Sequence, residues 1–342
     1  MKPILAITMG DPAGVGPEIS VKALAKSEVY EYCRPLVVGS PYIMERAKGF
    51  VGMPEIAIHE IKSVSEARFE CGTIDVLDPG LEGMEQVVPG KVSALAGDAA
   101  FKCVVKAIEL AMAKEVDGTV TNPLNKEAIN LAGHHFSGHT EIYAHYTNTK
   151  KYTMMLVHEN MRVVHVSTHV SLREACDRVK KDRVLDCIRI AADACRKLGI
   201  EDPRVGVAGL NPHCGENGMF GREDLDEIAP AVEAAKAEGI DCTGPVAPDT
   251  VFSKLRGGWF DVVVAMYHDQ GHIPMKVVGF VYDQEKKEWG AVAGVNITCG
   301  LPIIRVSVDH GTAMGHAGHG NASELSLINS IECATQFALH WE

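Results

Sequence analysis

The chain has 342 residues, enough for two domains or one large α/β unit. A hydrophobic share of 46% and a charged share of 23% are ordinary for a soluble globular protein and exclude a disordered chain. The formal net charge of -12 repels phosphate backbones and anionic membranes at long range, which argues against nucleic acid and membrane partners. An anionic substrate would have to be met by a local basic pocket.

The apolar stretch at residues 4–9 is too short for a signal segment or a membrane span. It reads instead as a buried strand that runs into the glycine-rich turn Gly10-Asp11-Pro12-Ala13-Gly14-Val15-Gly16 and then a helix to Leu24, with Pro17 in its first turn. Strands are expected at 35–39, 74–77 and 118–121, with an amphipathic helix at 99–114. The second half repeats the scheme, with strands near 153–157, 163–167, 204–208 and 261–266 and helices near 172–198 and 224–238. The first of these helices is long and mixed in period, which suits two helices. Strands alternating with helices imply parallel βαβ crossovers. No repeat or low-complexity linker separates the halves, so two interwoven domains with a cleft are expected. The ten cysteines form no Cys-x-x-Cys pair, and Cys103, Cys187, Cys195 and Cys333 sit in apolar or helical runs. They read as core thiols of a reducing compartment, and the cytoplasm is the expected location.

Three histidines each close an apolar, β-rich run: His169 after Val164-His165-Val166, His213 after Val205-Gly206-Val207-Ala208, and His268 after Val262-Val263-Val264-Ala265. Ligands of an α/β sheet gather beyond the carboxyl ends of its strands, so the three imidazoles could converge on one divalent metal. Each histidine alone reads more readily as a hydrogen-bonded structural residue, because no local ligand motif joins them; three in matching positions narrow that difference. Asp269 and Asp249 could supply carboxylates to such a centre or fix an imidazole tautomer; otherwise they are a turn aspartate and a helix N-cap.

The loop Gly138-His139-Thr140-Glu141 has the composition of a binding segment, or of a plain turn in which Thr140 caps a helix starting at Glu141. The turn at residues 10–16 lacks the Gly-x-Gly-x-x-Gly spacing of dinucleotide sites, yet its N–H groups could cradle an anion at a helix start. Lys276, Asn296 and Arg305 lie beside glycine-rich or strand segments, with phosphate binding and plain solvation both open to them.

Together, Ile7-Thr8-Met9-Gly10-Asp11-Pro12-Ala13-Gly14, Asn122-Pro123-Leu124-Asn125-Lys126, Gly138-His139-Thr140-Glu141, Gly209-Leu210-Asn211-Pro212-His213, Tyr267-His268-Asp269-Gln270-Gly271, Gly294-Val295-Asn296-Ile297-Thr298 and Asp309-His310-Gly311-Thr312 cover nearly the whole chain. On these motifs it resembles the 4-hydroxythreonine-4-phosphate dehydrogenase family, which shares the plan of the isocitrate and isopropylmalate dehydrogenases. The resemblance implies two interwoven α/β/α domains, here residues 1–125 plus 300–342, and 126–299 on the metal and dimer-interface side. It also implies a homodimer with shared active sites, in which His169, His213 and His268 hold a divalent metal (zinc, magnesium, cobalt or manganese). His139 and Thr140 would contact substrate, and Lys276, Asn296 and Arg305 would hold the substrate and its phosphate. NAD would bind without the usual fingerprint, with Asp309, Gly311 and Thr312 as its contacts.

The segments Cys103-Val104-Val105-Lys106-Ala107, Asn122-Pro123-Leu124-Asn125-Lys126-Glu127-Ala128, Val166-Ser167-Thr168-His169 and Gly271-His272-Ile273-Pro274 look more like the branch acting on D-threonate or D-erythronate 4-phosphate. The alternatives are the 4-hydroxythreonine 4-phosphate oxidation of pyridoxal phosphate synthesis and the oxidation of cis-dihydrodiols, whose substrates lack phosphate, so that Lys276 and Arg305 weigh against them. The chemistry so implied is metal-assisted oxidation of a carbinol by NAD, followed by decarboxylation of the β-keto acid; Lys126, Asp249 and Asp269 are the candidates for proton transfer. A rival from another class is a metal-dependent sugar-phosphate lyase, which would need no nicotinamide. A non-catalytic protein with a structural zinc ranks last, because three histidines leave a coordination position open. One departure from the family is the longer connection at 281–293, which suggests an extended hairpin or lid.

Overall fold

The computed structural model describes residues 1–341 apart from 280, 281, 285, 286 and 290–292. Its strands, in chain order, are β1 (Ile4–Thr8), β2 (Arg34–Val38), β3 (Ala57–Ile61), β4 (Thr73–Leu77), β5 (Gly118–Thr121), β6 (Thr153–His158), β7 (Met161–His165), β8 (Val205–Ala208), β9 (Cys242–Val246), β10 (Val262–Ala265), β11 (Tyr282–Asp283), β12 (Glu288–Trp289), β13 (Val295–Cys299) and β14 (Arg305–Val308). The α-helices are α1 (Gly16–Leu24), α2 (Ser27–Tyr32), α3 (Pro41–Val51), α4 (Ala94–Met112), α5 (Lys126–Leu131), α6 (His139–Tyr146), α7 (Leu172–Asp177), α8 (Lys181–Lys197), α9 (Ala229–Ala237), α10 (Pro248–Arg256), α11 (His268–Gly279) and α12 (Leu325–Leu339). The fold is α/β, and the chain divides into two compact units.

The first unit comprises Met1–Thr149, Ala291–Val295 and Leu301–Leu339. Residues 126–149, expected from the sequence in the second domain, belong here, because α5 and α6 pack on α4. The strand order is β3-β4-β2-β1-β5-β14, with every pairing parallel. The chain leaves β1 for β2 on one side and returns to β5 on the other, so β1 and β5 flank the topological switch point. Apolar β1 and β2 are buried on both faces, as a central parallel sheet requires. The turn after β1 feeds α1 with Pro17 in its first turn, as expected.

The second unit comprises Lys150–Gly290, Asn296–Gly300 and His340–Glu342. Its strands run β6-β7-β10-β8-β9, with β13 beside β6. Strands β7, β10 and β8 are mutually parallel, whereas β6 and β7 form an antiparallel hairpin. The purely parallel scheme expected for this half is therefore corrected: the Glu159-Asn160 turn, with Glu159 in the left-handed region, reverses the chain without a crossover helix. The long helical pattern at 172–198 does split, into α7 and α8. The core of this unit gathers Val163, Val263, Ala265, Val251, Leu255 and Met275, the last from α11. The hairpin expected over 281–293 shows β11 paired antiparallel with β12, Tyr282 opposite Trp289; residues 281, 285, 286 and 290–292 of that stretch lie outside the described residues. Among the described residues no helix is long and apolar enough to cross a membrane.

Candidate active site

In the second unit, three neighbouring parallel strands end on one edge and each leads into a loop bearing one of the expected histidines: β7 into His169, β8 into His213 and β10 into His268. The loops are stitched together. The Ser167 hydroxyl donates to the Met266 carbonyl at 3.3 Å. The buried Gln270 accepts from the Met266 N–H at 2.6 Å and donates to the Gly209 carbonyl at 2.8 Å, which ties the β10 edge to the β8 edge.

His268 begins α11, and its Nδ1 lies 2.7 Å from the Asp269 carboxylate. That bond favours the Nδ1–H tautomer and leaves Nε2 as the basic nitrogen. The His169 and His268 rings lie 5.9 Å apart and line, with Thr168, Leu172 and Tyr267, a cavity of about 440 Å³. Two histidines that carry no signal as ligands in the sequence join them. His272, one helical turn after His268, stacks on it at 3.6 Å and 11°, and the buried His165 lies 4.7 Å from His272. Burial, and next the neighbouring His272, push the His165 imidazole down to about 3, so it is neutral. Gly271 permits this packing: a Cβ there would collide with the His165 ring and come within 2.8 Å of Val163 Cγ1. Lys276 continues the His268 and His272 stripe of α11, half-buried, and the Asn296 amide donates to Met154 Sδ at 2.8 Å.

His213 lies on the loop after β8. It opens a turn in which His213, Cys214, Glu216 and Asn217 all have left-handed backbone angles, an uncommon state for side-chain-bearing residues. The turn is anchored by the buried Asp224, which accepts from the Leu210 and Asn211 N–H groups at 2.9 and 3.1 Å and from the Asn211 amide at 2.9 Å. Among the described residues no three His, Cys, Asp or Glu side chains stand in the arrangement of a metal centre. The three histidine-bearing loops leave one sheet edge, and the His169 and His268 rings lie 5.9 Å apart. The donor set still fits a divalent metal of zinc type in kind: imidazoles on one edge, one of them oriented by a carboxylate. Asp249 is exposed in the first turn of α10; the N-cap is Ala247, so the capping role expected for Asp249 is not found. It lies near Cys214, whose thiol is pushed up to about 11 by burial, Asp224 and Asp249 in that order.

In the first unit, Arg305 is almost wholly buried at the start of β14. Its side chain runs along the sheet from the register of Thr119 to Thr121, whose hydroxyl accepts from Nε at 3.2 Å and Nη2 at 2.9 Å. The guanidinium also lies 5.8 Å from the centre of the Tyr143 ring. Burial lowers its pKa to about 10, offset in part by Tyr143 and Glu141, so the charge persists at neutral pH. His139, first residue of α6, has a buried Nε2 with no hydrogen-bond partner; burial, and then the charge of Arg305, hold it well below the usual imidazole range. Thr140 is the second residue of α6 and not its cap, which is Gly138. Lys126 opens α5, and a Cβ on Gly138 would lie 3.6 Å from its Cε.

At the carboxyl edge of β1, β5 and β14 the glycine-rich turn meets the loop at residues 309–312. Val15 N–H donates to the Thr312 carbonyl at 3.1 Å, and a Cβ on Gly14 would lie 2.8 Å from that oxygen. Asp11 is buried here, accepting from Ala13 N–H at 2.9 Å, with Oδ2 unbonded. Burial, only partly offset by backbone donors, raises its carboxyl to about 6. Asp309 and Thr312 are half-buried and Gly311 is exposed. Asp11, Thr121, Tyr143, His165 and His272 do not stand out in the sequence as site residues. The one sequence signal for Tyr143 is its place one helical turn after His139.

The profile of the family described as pyridoxal phosphate biosynthetic protein PdxA matches residues 31–334. The chain is 47% identical over 338 residues to the D-threonate 4-phosphate dehydrogenase of Pectobacterium atrosepticum, covering 99% of this chain and 100% of that protein. It is 48% identical over 337 residues to the enzyme of the same name from Salmonella typhimurium, covering 98% of each. A crystal structure of 4-hydroxythreonine-4-phosphate dehydrogenase from Klebsiella pneumoniae superposes with a TM-score of 0.87 at 44% identity, covering 98% of this chain and 100% of that one. With similarity running over the full length in both sequence and fold, the chain belongs to the PdxA family of pyridoxal phosphate biosynthetic proteins.

Proposed function

We propose that this protein is a metal- and NAD-dependent dehydrogenase that oxidises and decarboxylates a four-carbon, 4-phosphorylated hydroxy acid, with D-threonate 4-phosphate as its substrate. The observation that carries the reading is Arg305: a buried, charged guanidinium whose plane is held by a hydroxyl and a ring is suited to receive an anion such as phosphate. Full-length identity of 47% and 48% to two D-threonate 4-phosphate dehydrogenases supports the choice of acid.

In this reading Arg305 binds the phosphate, with Lys276 and Asn296 as further substrate contacts, and neutral His139 with Thr140 donates hydrogen bonds to substrate oxygens. His169, His213 and His268 would hold the divalent metal, and the loop with Asp309, Gly311 and Thr312 would hold NAD. When bound, the metal supplies Lewis acidity at the substrate hydroxyl and NAD accepts the hydride. Asp269 keeps the His268 tautomer fixed. Asp269, Asp249 or Lys126 takes the hydroxyl proton. The 3-keto acid so formed loses carbon dioxide: the C1–C2 bonding pair passes toward the C3 carbonyl as an enolate, C2 takes up a proton, and D-threonate 4-phosphate gives dihydroxyacetone phosphate. Exposed Ile273 and Val277, 59% and 74% accessible on one side of α11, suit the proposed homodimer.

The test is NADH formation by purified protein with added divalent metal, offered D-threonate 4-phosphate, D-erythronate 4-phosphate and 4-hydroxythreonine 4-phosphate in turn. Turnover of the first is the expected result. Turnover of the amino acid alone would move the protein to pyridoxal phosphate synthesis, and turnover without nicotinamide would make it a lyase.

A further inference from the structure

We propose that Thr121 and Tyr143 are positioning residues for the phosphate-binding cation, fixing the plane of the Arg305 guanidinium. This rests on the reading of Arg305 given above.

Arginine has a long, rotamer-rich side chain, and a buried guanidinium that must meet a phosphate in a set orientation needs a partner on its inner edge. A carboxylate in that place would orient the group and also neutralise it. Here the inner edge, Nε and Nη2, converges on one neutral acceptor, the Thr121 hydroxyl, at 3.2 and 2.9 Å. A hydroxyl oxygen can take both N–H groups and adds no charge of its own. The plane of the guanidinium is then set by the edge of β5, a strand buried along its whole length.

Tyr143 provides the second constraint. Its fully buried ring lies beneath the cation, and its hydroxyl donates to Thr119 Oγ1 at 2.9 Å. Thr119 in turn donates to the carbonyl of Ile304 at 2.7 Å, the residue before Arg305. The chain of bonds closes on itself: the backbone that launches Arg305 holds Thr119, Thr119 holds Tyr143, and the Tyr143 ring supports the far end of Arg305. Both threonines come from β5, so one short strand sets the near and far ends of the cation.

The experiment compares wild type with Thr121→Val, Thr121→Ser, Tyr143→Phe and Arg305→Met. It reads two quantities: affinity for inorganic phosphate by calorimetry, and KM and kcat for D-threonate 4-phosphate with NAD and metal. Thr121→Val is expected to weaken phosphate binding and raise KM about tenfold together, with kcat within about twofold, because the two hydrogen bonds from Nε and Nη2 to Thr121 that orient the buried cation are removed. Thr121→Ser keeps the acceptor and should restore both constants, a rescue that a packing role would not give. Tyr143→Phe keeps the ring and should shift both constants about threefold, which serves if Thr121→Val fails to fold. Unchanged phosphate affinity in both Thr121→Val and Tyr143→Phe overturns the proposal, as does a serine variant no better than valine. If Arg305→Met binds phosphate as wild type does, the phosphate reading itself is wrong and the positioning role falls with it. Phosphate binding lost in Arg305→Met but no turnover of D-threonate 4-phosphate by wild type would leave the positioning role standing on the calorimetry and reject only the substrate.

Discussion

Arg305 in the first unit and the histidines after β7, β8 and β10 in the second are held in different ways. In the first, Arg305 is buried, doubly bonded to Thr121 and supported by Tyr143, so the fold itself fixes its position. In the second, His169 and His213 are exposed, and His268 stacks on His272 with Asp269 at its Nδ1. A cation that binds an anion can be preorganised by neutral hydroxyls at little cost. Imidazoles that bind a cation gain from being left basic and accessible, and metal affinity then does part of the folding of the site.

The contrast between the units can be attacked from either side. Removing the metal by chelation, or replacing His268 with alanine, should lower turnover by more than about a hundredfold, beyond the effect typical of a residue that only supports a ligand. The unfolding midpoint should fall as well, because a bound metal stabilises the folded state, and bound metal assayed on the purified protein should fall in the variant. A His268→Ala protein that retains metal and turnover would remove the histidines from the site. On the other side, Arg305→Met should raise KM for the phosphorylated acid about a hundredfold, the scale of one or two charge-assisted hydrogen bonds. Its KM for the unphosphorylated acid should not change, and an equal effect on both acids would mean that Arg305 supports the fold rather than the phosphate.

Two smaller effects separate the histidine group from the turn after β1. Gly271→Ala places a methyl against the His165 ring and should cost about 1–3 kcal/mol in chemical denaturation. Gly49→Ala is the control: in α3 the added methyl meets nothing within 4 Å, so stability should hold or rise slightly. Equal effects of the two substitutions would mean that the His165 ring yields without cost. Asp11 gives a pH signature. Its carboxyl is raised from 3.8 to about 6 in the fold, so between those values the folded state binds more protons than the unfolded state. Stability from this group is full below pH 3.8 and is lost as pH rises through about 6, at most about 3 kcal/mol in all. Asp11→Asn should flatten that slope in urea titrations at about pH 4 and pH 7; a slope unchanged in the variant would assign it to other groups.

Much of the scaffold is legible in the sequence because buried parallel strands are continuous apolar runs. The runs ending before His169, His213 and His268 read correctly as strands, and their parallel pairing follows from alternation with helices. The β6–β7 hairpin is not legible, since Glu159-Asn160 lacks the glycine that usually marks such turns. Strands β3 and β9 escape notice for another reason: β3 is largely exposed or half-buried and carries His59 and Glu60, and β9 carries glycine and proline, so neither forms a hydrophobic run. Of the site, residue types that carry chemistry stand out, whereas their supports do not. Thr121 is one hydroxyl in a buried strand, and His165 and His272 meet only because α11 folds back over β7 at Gly271. Such pairings are set by tertiary packing and leave no periodic trace.

Oxidation coupled to decarboxylation is decided by a product balance on D-threonate 4-phosphate, run with the metal-loaded protein and NAD. Equimolar NADH, carbon dioxide and dihydroxyacetone phosphate are expected. NADH without carbon dioxide, or dihydroxyacetone phosphate without NADH, would contradict the proposed reaction.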